Sequence, residues 1–76
     1  MGSFSVPLRG AYITLVQAVK VAGLAESGGQ AKRLVRAGSI TVNGQEEQRP
    51  GRKLVDGDRI ALQGNLAKGQ EWVIQS

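Results

Sequence analysis

The segment SGGQAKRLVRAG, residues 27 to 38, sets Gly28 and Gly29 ahead of three cations, Lys32, Arg33 and Arg36, and a second basic run follows at Arg49, Arg52 and Lys53. Residues of these types bind anions. Glycine lacks a Cβ and lets a bulky group reach the backbone, the start of a helix offers free N–H groups and positive potential, and Lys and Arg neutralise phosphate. Nucleotide-hydrolysing and dinucleotide-binding chemistry is excluded by spacing. A P-loop needs GxxxxGK[ST] after a strand and a dinucleotide site needs GxGxxG inside a βαβ unit, and neither pattern is present.

The tripeptide Gly28-Gly29-Gln30 also matches the catalytic GGQ of peptide-release factors. That motif works on an exposed loop of a much larger protein, whereas Gln30 here stands three residues after Ser27, in the capping-box pattern of a helix start. A capped helix start alone leaves the glycines unexplained, because each costs about 1 kcal/mol against alanine in a helix. A phosphate approaching the backbone explains them, and it is compatible with a cap that occupies only part of the free N–H groups.

Other chemistry finds few candidates. Histidine and cysteine are absent, which removes disulfides, thiolate nucleophiles, the usual zinc ligands and the common acid–base side chain near neutral pH. Glu46 and Glu47 are neighbours on a strand and should point to opposite faces, and Asp56-Gly57-Asp58 is a turn with too few companions for a calcium loop. The expectation is a binding protein and not an enzyme, with no cofactor, no metal and no small-molecule substrate.

The elements that must position the basic residues are legible in the pattern. Thr14 and Gln17 form a capping-box pair, Leu15, Ala18, Val19 and Ala22 follow at helical spacing, and Gly23 is a stop, which predicts a first helix from about Leu15 to Ala22. The second helix starts at Ser27, buries Ala31, Leu34 and Val35, and ends at Gly38. At about 100° per residue its cations project opposite that apolar stripe. Next, SITVNGQEEQ is β-branched and carries Asn43-Gly44, the pair favoured in a two-residue hairpin, with Ile40 and Val42 on the buried strand face. Pro50-Gly51 breaks the return strand into the basic loop RPGRK, and after a turn at residues 56–58 RIALQG is another strand. EWVIQS has strand composition, FSVPL is its expected partner with Pro7 marking a sheet edge, Trp72 is a sheet or core anchor, and GNLAKG is a loop. The fold class is α+β: two short helices packed on a small, mostly antiparallel sheet.

At 76 residues, 41% hydrophobic and 21% charged, the chain is expected to form one domain, residues 1–76, with its core motif in 14–62. The longest apolar run is too short to span a bilayer, MGSFSVPLRG has no leader-like character, and Val6 stands where an N-myristoylation motif wants Ser or Thr, so a cytoplasmic location without a membrane partner is expected. The net charge is +4, and all of it belongs to residues 27–53, where six cations face only Glu46 and Glu47. No acidic residue is interleaved with Lys32, Arg33 and Arg36, so that face repels itself until an anion neutralises it. With aromatics limited to Phe4, Tyr12 and Trp72, none in the basic third, phosphate contacts and the shape of structured RNA or duplex are expected to carry recognition, not base stacking.

Taken together, SGGQAKRLVRAGSITVNG and RPGRKLVDGDRI resemble the S-four RNA-binding domain, also called the alpha-L RNA-binding motif, whose pattern is a serine-led SxxQAxxLIxxGxVxVNG block and a PGDxI turn. The matching positions are Ser27, Gln30, Ala31, Leu34, Val35, Gly38, Ile40, Val42, Asn43, Gly44, Gly57, Asp58 and Ile60, and the small stand-alone bacterial members are the most similar. The resemblance implies binding of structured RNA, ribosomal or transfer RNA, in ribosome assembly or translation, with a ribosomal subunit as a further partner. The contact surface it implies comprises Ser27, Gly28, Gly29, Gln30, Lys32, Arg33, Arg36, Arg49, Arg52 and Lys53. The chain departs from these relatives at Glu46, where an apolar residue is usual, and at Pro50, often basic. Two other readings remain at this stage: an adaptor whose cationic face meets an acidic protein on the ribosome, and an accessory acting in trans for an RNA-modifying enzyme.

Overall fold

The computed structural model describes residues 2–64 and 70–76. Among these, seven strands and two helices follow one another as β1 (Gly2–Pro7), β2 (Ile13–Thr14), α1 (Leu15–Val21), α2 (Gly28–Arg36), β3 (Ile40–Val42), β4 (Gln45–Glu46), β5 (Lys53–Leu54), β6 (Arg59–Leu62) and β7 (Gln70–Gln75). The main sheet has the order β1-β7-β6-β3-β4, and β2 with β5 makes a separate two-stranded ribbon. Every pairing is antiparallel except β1 with β7, which run parallel in the register Phe4 to Trp72. This is the α+β class read from the sequence. The GNLAKG loop and Lys68 lie, apart from Gly64, outside the described residues.

Each helix begins and ends where local chemistry dictates. Thr14 caps α1 in a reciprocal capping box with Gln17. At the other end Gly23, at φ 80°, sends its N–H to the Lys20 carbonyl while Leu24 N–H reaches Val19, the paired bonds of a Schellman stop. The same arrangement closes α2, with Gly38 N–H on Val35 and Ser39 N–H on Leu34. Gly38 adopts φ 79°, a left-handed backbone that demands glycine, whereas the Glu46 carboxylate oxygen 2.7 Å from where a Cβ would stand is the end of an exposed side chain that can move aside.

The hairpin between β3 and β4 turns on Asn43 and Gly44, at φ 53° and 84°, which matches the right-handed twist of the flanking strands. Asn43 Nδ2 then donates to Asp58 Oδ1, and Asn43 Oδ1 accepts from Arg59 N–H, fastening this turn to the next one along the sheet. Leu15, Ala18 and Val19 of α1 and Ala31 and Val35 of α2 are buried against Ile40, Val42, Leu54, Ile60 and Ile74. Thr41 is also buried, and its hydroxyl donates to the Ala61 carbonyl.

The expected pairing of FSVPL with EWVIQS is present, with a parallel sense. Among the described residues β1 has only β7 beside it, so Pro7 sits on a sheet edge where its missing N–H breaks no ladder bond. Phe4 and Trp72 stack with ring centroids 5.4 Å apart, and Trp72 also packs on the core.

Replacing Gly38 with alanine should lower stability by about 1–2 kcal/mol through the left-handed backbone alone, read as a drop in the urea midpoint without a change of slope.

Candidate nucleic-acid interface

The apolar stripe of α2 fixes where its cations go. With Ala31 and Val35 fully buried and Leu34 half-buried, Lys32, Arg33 and Arg36 are left on the exposed face. None of the three has an ion-pair partner among the described residues. Arg33 and Arg36 occupy the last turn, where the helix dipole favours positive charge, so the fold tolerates them without a counter-ion.

At the other end of α2, Ser27 Oγ accepts from Gln30 N–H at 3.2 Å. The expected reciprocal bond is not made: the Gln30 side chain accepts from Glu26 N–H at 2.7 Å, one residue earlier than a capping box requires. The cap thus extends to the residue before Ser27, and the amides of Gly28 and Gly29 have no acceptor among the described residues. A Cβ on Gly28 would meet nothing within 4 Å, and one on Gly29 would meet only Ser27 Oγ at 4.0 Å. Internal packing therefore gives no reason for either glycine. Glu26, Ser27, Gly29, Gln30 and Arg33 line a shallow hollow at this helix end.

The basic loop is organised differently from expectation. Glu47 is 7% exposed and its carboxylate is enclosed by the loop that follows it. It accepts from the backbone N–H groups of Gln48 and Arg49 at 3.1 and 3.2 Å, from Arg49 Nε and Nη2 at 3.1 and 3.2 Å, and from Arg52 Nη1 at 2.8 Å. These bonds, those from Arg49 first and those from Arg52 second, hold the carboxyl down to about 2. The same partner pushes the Arg49 guanidinium up. Arg49 and Arg52 are thus not free cations: one carboxylate offsets half of their charge. The loop so formed presents the Arg52 and Pro50 carbonyls to the Leu15 and Val16 N–H groups, two of the open donors at the start of α1.

Lys53 has another neighbour. Pairing of β5 with β2 sets Thr14 opposite Lys53, and the Lys53 ammonium stands 4.8 Å from the centroid of the Tyr12 ring. An aromatic therefore does stand beside the basic loop, although none occurs in the basic third of the sequence. Ser27, Gly28, Gly29, Gln30, Lys32, Arg33 and Arg36 share one helix, while Arg49, Arg52 and Lys53 form a second group on the loop and β5. No ion pair or side-chain hydrogen bond joins the two groups among the described residues.

Glu47 and Tyr12 are the residues that sequence reasoning missed. Glu47 carried a signal: it falls on the inward side of the strand relative to Glu46, and an inward carboxylate two residues before an arginine calls for an ion pair. Tyr12 carried none, since only strand pairing brings it to Lys53.

A family model described as the S4 domain matches residues 6–68. Among curated proteins, the chain is 40% identical over 52 residues to the probable ribosome maturation protein RlbA of Bacillus subtilis (strain 168), a stretch that covers 68% of this chain and 73% of that relative. Both matches include the second helix and the hairpin within the residues the family model spans.

Because the folded carboxyl of Glu47 lies well below its ordinary value of 4.5, the stability it contributes is present above pH 4.5 and is lost as pH falls towards about 2. Glu47→Gln should cost about 1–2 kcal/mol at neutral pH. The gap between wild type and variant, followed by thermal melts, should close across that acid window.

Proposed function

Because the chain belongs to the S4 domain family, we propose that it binds structured RNA, ribosomal or transfer RNA, without catalysing a reaction, and that it does so in the maturation of ribosomal particles. The observation that carries this reading is the exposed face of α2, where Lys32, Arg33 and Arg36 have no counter-ion among the described residues and adjoin two glycines with free amides. Phosphates supply the missing charge. Each phosphate neutralised releases condensed counter-ions, so association is driven by entropy and weakens with salt.

The parts of the surface divide the work. The α2 N-terminus offers directed N–H groups, and the absence of Cβ atoms at Gly28 and Gly29 lets a sugar-phosphate backbone lie against the helix. Lys32, Arg33 and Arg36 continue that contact along the helix. Arg49 and Arg52, held by Glu47, present guanidinium groups in a fixed orientation, and Lys53 adds a point charge. A rigid basic loop loses less conformational entropy on binding than a flexible one, which offsets part of the charge that Glu47 removes. The ribosomal setting is supported by the name of the Bacillus relative.

The triple variant K32E/R33E/R36E should lose measurable affinity for a ribosomal RNA hairpin in fluorescence anisotropy while keeping its circular dichroism spectrum. Unchanged affinity would refute the assignment. Single neutral substitutions should each reduce the salt slope of log K by about 0.9, or about 0.7 on single strands. Gly28→Ala and Gly29→Ala should raise thermal stability by up to about 1 kcal/mol each and yet weaken RNA binding, a combination that internal packing alone does not produce.

A further inference from the structure

A cleft of about 760 Å³ opens between the end of β1 and the outer side of α1, lined by Pro7, Arg9, Tyr12, Ile13, Gln17 and Lys20. Its size falls within the range of small-ligand clefts, roughly 300–1,000 Å³. Arg9 and Lys20 are exposed and have no ion-pair partner among the described residues, and no carboxylate lines the cleft. Tyr12 is 46% exposed, and Val21, which also lines the cleft, is 56% exposed.

The basic loop adjoins the cleft through Lys53, whose ammonium stands over one face of the Tyr12 ring, 4.8 Å from its centroid, so a base would meet the other face. An aromatic ring near three cations that have no ion-pair partner among the described residues is chemistry that receives a nucleotide: one face of the ring meets a base, and the cations meet the phosphates on either side of it. An acidic peptide would satisfy the charges but would leave the ring and Val21 without a flat apolar partner.

We propose that this cleft holds one unpaired nucleotide of the bound RNA, with its base stacked on Tyr12 and its flanking phosphates on Arg9, Lys20 and Lys53. The assignment rests on the RNA-binding reading above and extends it from a phosphate-reading surface to one that selects RNA with an extruded base. In an uninterrupted A-form stem both faces of each base are already stacked, so a stem supplies phosphates but no free base. A nucleotide bulged out of a stem supplies both.

Two RNA hairpins of identical stem, closed by the same tetraloop whose bases are stacked within the loop, one with a fully paired stem and one with a single-nucleotide bulge, test this by fluorescence anisotropy on the full chain. The wild type should bind the bulged hairpin more tightly. Tyr12→Leu, which keeps the apolar bulk, should lower that affinity by about 5- to 150-fold and leave the paired hairpin unaffected, while Tyr12→Phe should retain the preference. Tyr12 is the one tyrosine in the chain, so its ring resonances provide a readout in the unaltered protein. They should move upfield on addition of the bulged hairpin and stay in place with the paired one.

Equal binding of both hairpins by the wild type, or static Tyr12 resonances in the bulged complex, would overturn the stacking site and leave RNA binding intact. Competition by polyglutamate as effective as by the bulged hairpin would give the cleft to an acidic protein and overturn it as well. Failure to bind either hairpin at low salt would instead remove the RNA-binding reading, and the nucleotide site with it.

Discussion

Glu47 ties the sheet to the helical layer. Its backbone N–H pairs with Ile40 on β3, and its carboxylate gathers the next five residues into a tight loop. The carbonyls of that loop then cap the open amides of α1, and the chain leaves it directly into β5, which pairs with β2. A buried carboxylate is costly unless its oxygens are fully used, and here five donors use them. The constraint works in both directions: the loop is ordered because the charge must be satisfied, and the charge is tolerable because the loop is ordered.

The same physical economy governs the helices. Small domains have little apolar area to bury, so a nine-residue helix can devote only one stripe to the core. Ala31, Val35 and half of Leu34 suffice to dock α2, which frees its other face from any structural duty. Charge placed there need satisfy only solvent and a ligand. The glycines divide likewise. Gly23 and Gly38 are required by left-handed backbone at helix ends, whereas Gly28 and Gly29 occupy ordinary helical backbone with open space where a side chain would project. Only the second pair calls for an explanation outside the fold.

Local signals proved readable where the physics is local. The caps at Thr14 and Ser27, the glycine stops, the Asn43-Gly44 turn and the split faces of α2 depend on residues within four positions of one another, and each is present in the structure. The parallel sense of β1 and β7, the β2–β5 ribbon and the contact of Tyr12 with Lys53 depend on residues far apart in sequence. Gln30 shows how narrow the margin is: its side chain accepts from the Glu26 amide and not from that of Ser27, the neighbour a capping box would use.

By itself the sequence determined the secondary elements, the buried stripe of each helix, the family and the presence of a cationic surface, because propensity, periodicity and charge are properties of short segments. Tertiary structure alone decided how much of that charge is free. Burial brought Glu47 against Arg49 and Arg52 and reduced the loop's contribution, while the cations of α2 make no ion pair among the described residues. It also put the Tyr12 ring beneath Lys53, a cation distant from it in the chain, since pairing between strands, unlike helix formation, is set by which long-range contacts the whole core permits.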